Sequence, residues 1–95
     1  MAETSSNRIV ITVRGKNRPG IVAAVTRVLG EAGVAIRVIT QSIIDDIFTM
    51  TMLADIAESA LDFHALSDAL AETGKEIGVE VSLQREDVFN FMYRL

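Results

Sequence analysis

The stretch Gly15-Lys16-Asn17-Arg18-Pro19-Gly20-Ile21 marks the point at which the chain changes from one periodicity to another. Before it, residues 8–14 alternate and are rich in β-branched side chains, which is typical of a strand. Behind it, apolar residues recur at helical spacing over residues 21–32. Proline suits the first position of a helix because its missing N–H would have no partner there. The stretch therefore predicts a strand-to-helix turn, with Pro19 opening the helix.

The same turn has the features of a small anion site. Gly20 has no side chain to block an approaching molecule, and the first N–H groups of a helix have no intrahelical partner. The positive end of the helix dipole would lie behind these groups, which favours a carboxylate or a phosphate. A plain turn without any ligand fits this pattern as well, and the motif alone does not separate the two interpretations.

The rest of the chain predicts three more strands and a second helix. Residues 34–44 and 47–56 are rich in β-branched side chains, and Asp45-Asp46 between them suits a tight hairpin turn. A helix is predicted over residues 62–77 and a strand over residues 79–84. The resulting βαββαβ order predicts a ferredoxin-like fold of the α+β class, a four-stranded antiparallel sheet with two helices on one face.

Composition divides the chain into three parts. Residues 1–7 are small and polar and are predicted to form a flexible N-terminus, and residues 8–84 are predicted to form the domain. Residues 85–95 form an aromatic tail, predicted to be a short helix, which contains Phe89, Phe91 and Tyr93 out of the five aromatic residues of the chain.

The apolar content exceeds what two helices can cover. Ile39, Ile43, Ile47 and Leu53 are predicted to lie on strand faces that the helices leave uncovered, and the tail adds further apolar side chains. Burying each aliphatic or aromatic side chain contributes about 1.5–3 kcal/mol, so a second subunit is expected to cover them. The sequence therefore predicts a homodimer or a higher homo-oligomer, with the tail contributing to the interface.

Composition also excludes several classes of function. The net charge of −4 argues against a nucleic-acid partner, which requires a basic surface. The chain has no cysteine and a single histidine, His64, so neither a thiolate nor a multi-histidine metal site is expected, and no cofactor is expected either. No apolar run approaches the ~18 residues that a membrane span needs, and the start of the chain does not resemble a signal peptide. A cytoplasmic location without membrane contact is expected.

Taken together, these passages resemble the ACT domain, a small ligand-sensing module of amino-acid metabolism. The resemblance rests on GKNRPGIV at 15–22, LGEAGVAI at 29–36 and QS at 41–42. The passages DDIFTM at 45–50 and QREDVF at 84–89 are similar to the stand-alone ACT proteins of bacteria and archaea, which consist of this one domain.

The resemblance implies a regulatory domain that pairs through its sheets or helices and binds an amino acid or a similar metabolite at or near a subunit interface. Ligand contacts in such domains come from the turn after the first strand, which points here to Asn17, Arg18, Gly20 and Ile21. Many relatives have an aspartate where this chain has Asn17. An amide offers the ammonium group of a ligand only a neutral hydrogen bond instead of a charge-assisted one.

Two other functions fit the same scaffold. Acylphosphatases share this chain order and use an arginine and an asparagine, residue types that Arg18 and Asn17 supply, but their phosphate loop has a different pattern. No catalytic residue is assigned, because nothing pairs a nucleophile with an oriented base; His64 has no assigned role, and Asp45-Asp46 is interpreted as a solvated turn. The chain is therefore not expected to be an enzyme. A pure interaction module that docks a larger enzyme or regulator remains open.

Overall fold

The computed structural model describes residues 7–86. The elements in chain order are β1 (Arg8–Lys16), α1 (Ile21–Ala32), β2 (Ala35–Ile44), β3 (Ile47–Asp55), α2 (Phe63–Ile77) and β4 (Val79–Arg85). The predicted βαββαβ order is confirmed. The predicted flexible segment lies outside the described residues except for Asn7, and so does the predicted tail helix beyond Glu86.

The four strands form one antiparallel sheet in the order β2-β3-β1-β4. β1 pairs with β3 from Arg8 opposite Asp55 to Lys16 opposite Ile47, and it pairs with β4 on its other side. The first strand of the chain is thus central, as its β-branched residues on both faces predict, while β2 and β4 form the two edges of the sheet.

The hydrophobic core lies between one face of this sheet and both helices. We call this the helix face; its buried members are Ile9, Ile11, Val13, Phe48, Met50, Met52 and Ala54 of the central strands. They pack with buried residues that recur at helical spacing, namely Ile21, Val25 and Leu29 of α1 and Leu66 and Leu70 of α2. The opposite face, which includes Thr12, Thr51 and Leu53, carries neither helix, and we call it the open face.

Three glycines lie in the helices or at their ends, and two of them have a structural reason to be glycine. Gly33 ends α1 with φ 82° and donates its N–H to carbonyls of the last turn, as is common for a glycine at the end of a helix. Gly74 is buried in α2, where an added Cβ would lie 2.7 Å from the carbonyl oxygen of Val79. Gly30 has no atom within 4 Å of an added Cβ, and α1 continues past it to Ala32. Close packing therefore occurs at Gly74, and Gly30 neither packs closely nor ends its helix.

β2 contains an irregularity that simple alternation does not predict. Ile36 lies opposite Ala54, whereas Val38 lies opposite Leu53, so the register with β3 shifts between Ile36 and Val38. The extra residue of a β-bulge reverses the face of every side chain beyond it. Ile36 consequently lies on the helix face and Val38 on the open face, although strict alternation along the strand would place both on one face.

The four apolar residues that are predicted to be left uncovered by the helices occupy both faces of the sheet. Ile39 and Ile43 lie opposite Met52 and Phe48 on the helix face, where they are 44% and 51% exposed because neither helix extends over this end of the sheet. Ile47 is 49% exposed on the open face, together with the half-buried Leu53. The predicted exposure is confirmed for the three isoleucines, and all of it lies at the β2 side of the sheet.

Candidate functional site

The turn between β1 and α1 ends in a glycine with a left-handed backbone. Gly20 is the N-cap of α1, with φ 89° and ψ 0°, and its carbonyl accepts the hydrogen bond of the Ala24 N–H at 3.0 Å. The helix therefore begins at Ile21, and Pro19 precedes the cap instead of opening the helix as predicted. Because φ is positive, glycine is the residue that fits position 20 without strain.

The amino end of α1 is open. Nothing lies within 4 Å of a Cβ added at Gly20, and no side chain caps the helix. Within residues 7–86, the N–H groups of Gly20, Ile21 and Val22 donate no hydrogen bond of good distance and angle to another protein atom. The first turn contains no acidic residue that would offset the positive end of the helix dipole. These groups can therefore donate hydrogen bonds to an anionic ligand atom without displacing a well-formed protein contact.

One side of the turn is held by the β2–β3 hairpin. The Asn17 N–H donates to the carbonyl oxygen of Asp46 at 2.6 Å, directly after the last β1–β3 pair, Lys16 opposite Ile47. Asp45, the other residue of the hairpin turn, has φ 55°. The two exposed aspartates thus belong to a segment that contacts the candidate site, a placement that sequence analysis missed by treating the turn separately.

The other side of the turn rests on the junction between α2 and β4. A Cβ added at Gly15 would lie 2.9 Å from Cγ1 of Val79 and 3.1 Å from the carbonyl oxygen of Gly78, so only glycine permits this approach. The guanidinium of Arg18 lies 3.6–3.7 Å from the position of a Cβ at Gly78. Arg18 is therefore at the carboxyl end of α2, where the helix dipole favours a cation.

The structure brings the four predicted ligand residues together in one turn, but in unequal roles. Asn17, Arg18 and Gly20 are exposed. Ile21 is only 2% exposed as a residue and its side chain belongs to the core, so only its backbone N–H could contribute to a ligand contact. The candidate site is consequently made mainly of backbone groups on an open surface.

Hollows also occur elsewhere on the described surface, and three of them are defined by the residues that line them. One lies between the helices and is lined by Val28, Glu31, Ala32, Ala60, Leu61, Ala69, Glu72 and Thr73. Two lie on the open face beside β2, one around Thr40, Gln41, Ser42, Thr49 and Thr51 and one around Val10, Val38, Thr40, Thr51, Met52, Leu53 and Glu86. We place the candidate site at the turn despite these hollows, because the turn combines unpaired helix N–H groups with the positive end of the helix dipole.

A metal site and a functional role for His64 have little support in the part of the chain that the structure describes. Residues 7–86 contain no group of three or more histidine, cysteine, aspartate or glutamate side chains that could hold a metal ion. His64 is exposed and makes an edge-to-face contact with the adjacent Phe63 ring, at 5.6 Å between centroids. In the same range, no helix is long and apolar enough to cross a membrane.

Comparison with known proteins identifies the family. The model of the ACT domain family matches residues 7–84, and the chain belongs to this family. It is 47% identical to a UPF0237 protein of Methanococcus maripaludis over 87 residues, which cover 92% of this chain and 97% of that protein.

Solved structures agree with this assignment. An ACT domain protein from Streptococcus pneumoniae superposes with a TM-score of 0.76 at 32% identity, covering 90% of this chain and 97% of that one. The regulatory subunit of aspartate kinase from Thermus thermophilus superposes with a TM-score of 0.64 at 28% identity, covering 85% of this chain and 52% of that one. ACT domains are regulatory ligand-binding domains, and nothing in these comparisons indicates an enzymatic activity.

Proposed function

We propose that this protein is a cytoplasmic regulatory domain that binds an amino acid, or a metabolite with the same head groups, at the turn from Asn17 to Ile21. The observation that carries the proposal is the amino end of α1, where the N–H groups of Gly20, Ile21 and Val22 have no well-formed hydrogen bond and a Cβ at Gly20 would meet no atom within 4 Å. The proposal includes a homodimer, since ACT domains often oligomerise.

The turn offers different chemistry to the two ends of an amino acid. The ligand carboxylate accepts hydrogen bonds from the N–H groups of Gly20 and Ile21. The ammonium group is directed toward Asn17 and the hairpin turn, whose Asp46 carbonyl already accepts the Asn17 N–H at 2.6 Å. The carboxylates of Asp45 and Asp46 supply negative charge to this end of the site, which the Asn17 amide lacks.

Regulation is the role that fits such a site. The turn contacts the β2–β3 hairpin through Asn17 and the α2–β4 junction through Gly15 and Arg18, so an occupied turn constrains three parts of the fold. The similar aspartate kinase subunit is a regulatory subunit, and the same class of function is inferred here. We infer no catalysis: Arg18 is at the end of α2, and no base among the described residues is placed against it.

A docking module is the second candidate, and the exposed β2 edge is the observation that favours it. Val38, Ile39, Ile43 and Ile44 are 44–71% exposed, and such a surface is a site for another chain. Docking and ligand binding do not exclude each other, because the edge and the turn are separate surfaces.

A thermal-shift screen of the parent protein against the twenty amino acids tests the proposal. A ligand at a hundred times its dissociation constant stabilises the fold by about 2.7 kcal/mol, which is a clear shift for a domain of this size. Absence of stabilisation by any amino acid would contradict the proposal.

A pair of glycine variants then tests the location. Asparagine tolerates the left-handed backbone, so Gly20→Asn retains the turn while placing a side chain over the N–H groups. Gly30→Asn is the matched control on the same helix, because position 30 is exposed and open but distant from the turn. We expect Gly20→Asn to weaken binding at least tenfold and Gly30→Asn to leave it unchanged. Equal binding by both variants would place the site elsewhere.

A further inference from the structure

A groove with a volume of about 430 Å³ lies between the two helices, beside the end of α1. Its floor is apolar and is formed by the half-buried side chains of Val28, Leu61 and Ala69 and by the buried Ala32. Along α1 the groove is about 12–18 Å from the turn at Gly20, because each helical residue advances 1.5 Å. The groove is therefore a surface separate from the candidate ligand site.

Hydrogen bonds fix the connector that closes one end of the groove. The N–H of Ala60 donates to the carbonyl oxygen of Ala32 at 2.7 Å. The N–H of Leu61 donates to Oγ of Ser59 at 3.1 Å, and the Ser59 hydroxyl donates to the Leu61 carbonyl oxygen at 2.8 Å. The groove is thus formed before any partner binds, which lowers the entropy cost of docking.

Each helix contributes one carboxylate to the border of the groove. Glu31 of α1 and Glu72 of α2 are exposed, whereas most of the apolar floor is buried or half-buried. Neither carboxylate has an ion-pair partner among residues 7–86. Carboxylates on both sides of an apolar floor favour a partner with cationic side chains on both sides of an apolar row.

The negative charge of the chain is concentrated in the same layer. Acidic side chains outnumber basic ones in the two helices and the connector, where Glu31, Glu58, Asp62, Asp68, Glu72 and Glu76 stand against Arg27 and Lys75. The strands and their turns hold similar numbers of both kinds. The field over the groove therefore attracts a cationic partner and repels nucleic acids and anionic membrane surfaces.

We propose that this groove docks a basic amphipathic segment of another protein, with a row of aliphatic side chains on the floor and lysine or arginine side chains at Glu31 and Glu72. A helix with its side chains is about 10–12 Å across, so one face of it enters a groove between two packed helices. Apolar side chains three and four residues apart on such a helix form the required row. The proposal depends neither on a ligand at the turn nor on a dimer.

A second copy of this chain is a poorer occupant. Pairing of two copies through their helices would bring two acidic layers together, with the carboxylates at Glu31 and Glu72 of one copy close to those of the other. Juxtaposed like charges oppose association. Charge therefore selects a different chain as the partner.

Filling the groove without changing its charge tests the proposal directly. The probe is a fluorescently labelled peptide with leucines at helical spacing and lysines on both sides of the leucine row, which we call the lysine peptide. Ala69→Leu fills the floor, and Ala71→Leu is the matched control at an exposed position of α2 outside the lining. In anisotropy titrations we expect Ala69→Leu to weaken binding at least tenfold and Ala71→Leu to change it less than twofold. Equal binding by both variants would show attraction by charge alone and would overturn docking in the groove.

Exposed positions provide a second test that does not depend on packing. Glu72→Lys should weaken binding of the lysine peptide at least fivefold, whereas Glu80→Lys makes the same change at an exposed position of β4 and should alter it less than twofold. Combining Glu31→Lys with Glu72→Lys should reverse the preference, so that a peptide with glutamate in place of each lysine binds more tightly. Equal losses at positions 72 and 80, or an unreversed preference, would contradict the proposal.

Selection from random peptides displayed on phage tests the chemistry of the partner without a designed probe. Selection on the parent protein should enrich basic amphipathic sequences that no longer bind Ala69→Leu. Enrichment of acidic sequences, or of sequences that bind both proteins equally, would overturn the proposal.

Competition excludes the remaining occupants. A synthetic peptide of residues 87–95 should not displace the lysine peptide from the parent protein, and displacement would assign the groove to that segment of the chain instead. Self-association of the parent should be the same for Ala69→Leu. Self-association that Ala69→Leu abolishes would assign the groove to a second copy.

Discussion

The two edge strands of the sheet differ in how they meet the solvent. β4 has seven residues, and its surface includes Glu80, paired with Arg14 at 3.6 Å, and Arg85, whose guanidinium lies 4.5 Å from the centre of the Phe63 ring. β2 has ten residues, and its exposed side chains include four large aliphatic ones. The β4 edge therefore carries charged side chains, whereas the β2 edge is apolar. An apolar edge is expected of a strand that pairs with another strand.

The placement of α2 explains why the exposed apolar surface is at β2. Gly74 allows α2 to approach the start of β4 so closely that a Cβ there would lie 2.7 Å from the Val79 carbonyl oxygen and 3.0 Å from the Val81 side chain. The helices therefore cover the β4 side of the helix face and leave Ile39 and Ile43 uncovered. The close approach of α2 to β4 at Gly74 is thus consistent with the exposure of Ile39 and Ile43 at the β2 edge.

The largest effect is expected from charges on the apolar edge. The double variant Ile39→Asp with Ile43→Asp should raise the dissociation constant of the dimer a hundredfold or more, since each buried isoleucine contributes about 1.5–3 kcal/mol. Because both residues are already exposed in one subunit, the monomer should remain folded. Sedimentation equilibrium measures the change.

The matched control for this prediction lies on the other edge. Ser82 is exposed on β4, and Ser82→Asp adds the same charge there without touching β2. The control should leave the dissociation constant unchanged. A dimer that tolerates the β2 charges but not the β4 charge would reverse the assignment of the two edges.

A smaller effect is expected when the contact between α2 and β4 is disturbed. Gly74→Ala introduces a Cβ into contact with the backbone of Val79 and should lower the free energy of unfolding by about 1–3 kcal/mol. Gly30→Ala, in open space on α1, should instead raise it by up to about 1 kcal/mol. Urea titration of both variants checks the signs; equal effects would show that α2 does not pack closely on this edge.

The smallest effect concerns the ion pair at the start of β2. The N–H of Ala57, which donates to Asp55 Oδ1 at 2.8 Å, lowers the pKa of the Asp55 carboxyl below its usual value. Burial opposes this shift, and the Arg37 guanidinium and the charge of Arg8 also lower the pKa. A lowered pKa stabilises the fold above the ordinary pKa of aspartate, and this stabilisation disappears as the pH falls through the lowered value.

Asp55→Asn should therefore lower the melting temperature slightly at pH 7 and have a diminishing effect as the pH is reduced into the acidic range below the ordinary pKa of aspartate. Melting curves of the variant and its parent over this range measure the difference. A difference that stays constant with pH would mean that the charge of Asp55 does not contribute.

Much of the fold follows from local patterns in the sequence. The apolar spacing of α1 and α2 and the β-branched strands predict the observed order, because each element buries one face against the others. The bulge between Ile36 and Val38 was missed, since one extra residue in a strand leaves no signature in hydropathy. The faces of β2 were therefore assigned incorrectly even though the strand itself was predicted.

The candidate site was predictable only in part, for a related reason. The turn at Asn17 to Ile21 is a local motif, and its glycine and helix end can be identified from adjacent residues. The contact between Asn17 and Asp46, and that between Arg18 and Gly78, join residues distant in sequence. Such contacts depend on strand register and helix position, which the spacing of apolar residues does not determine.

The most direct test of the ligand site is a titration of ¹⁵N-labelled parent protein with the most stabilising amino acid, followed by amide chemical shifts. The N–H groups of Gly33 and Gly78 serve as internal references, because these glycines also have positive φ but already donate hydrogen bonds to their helices. We predict saturable shifts at Gly20 and Ile21 with little change at the two reference glycines. Saturable shifts that spare Gly20 and Ile21 would contradict ligand binding at this turn.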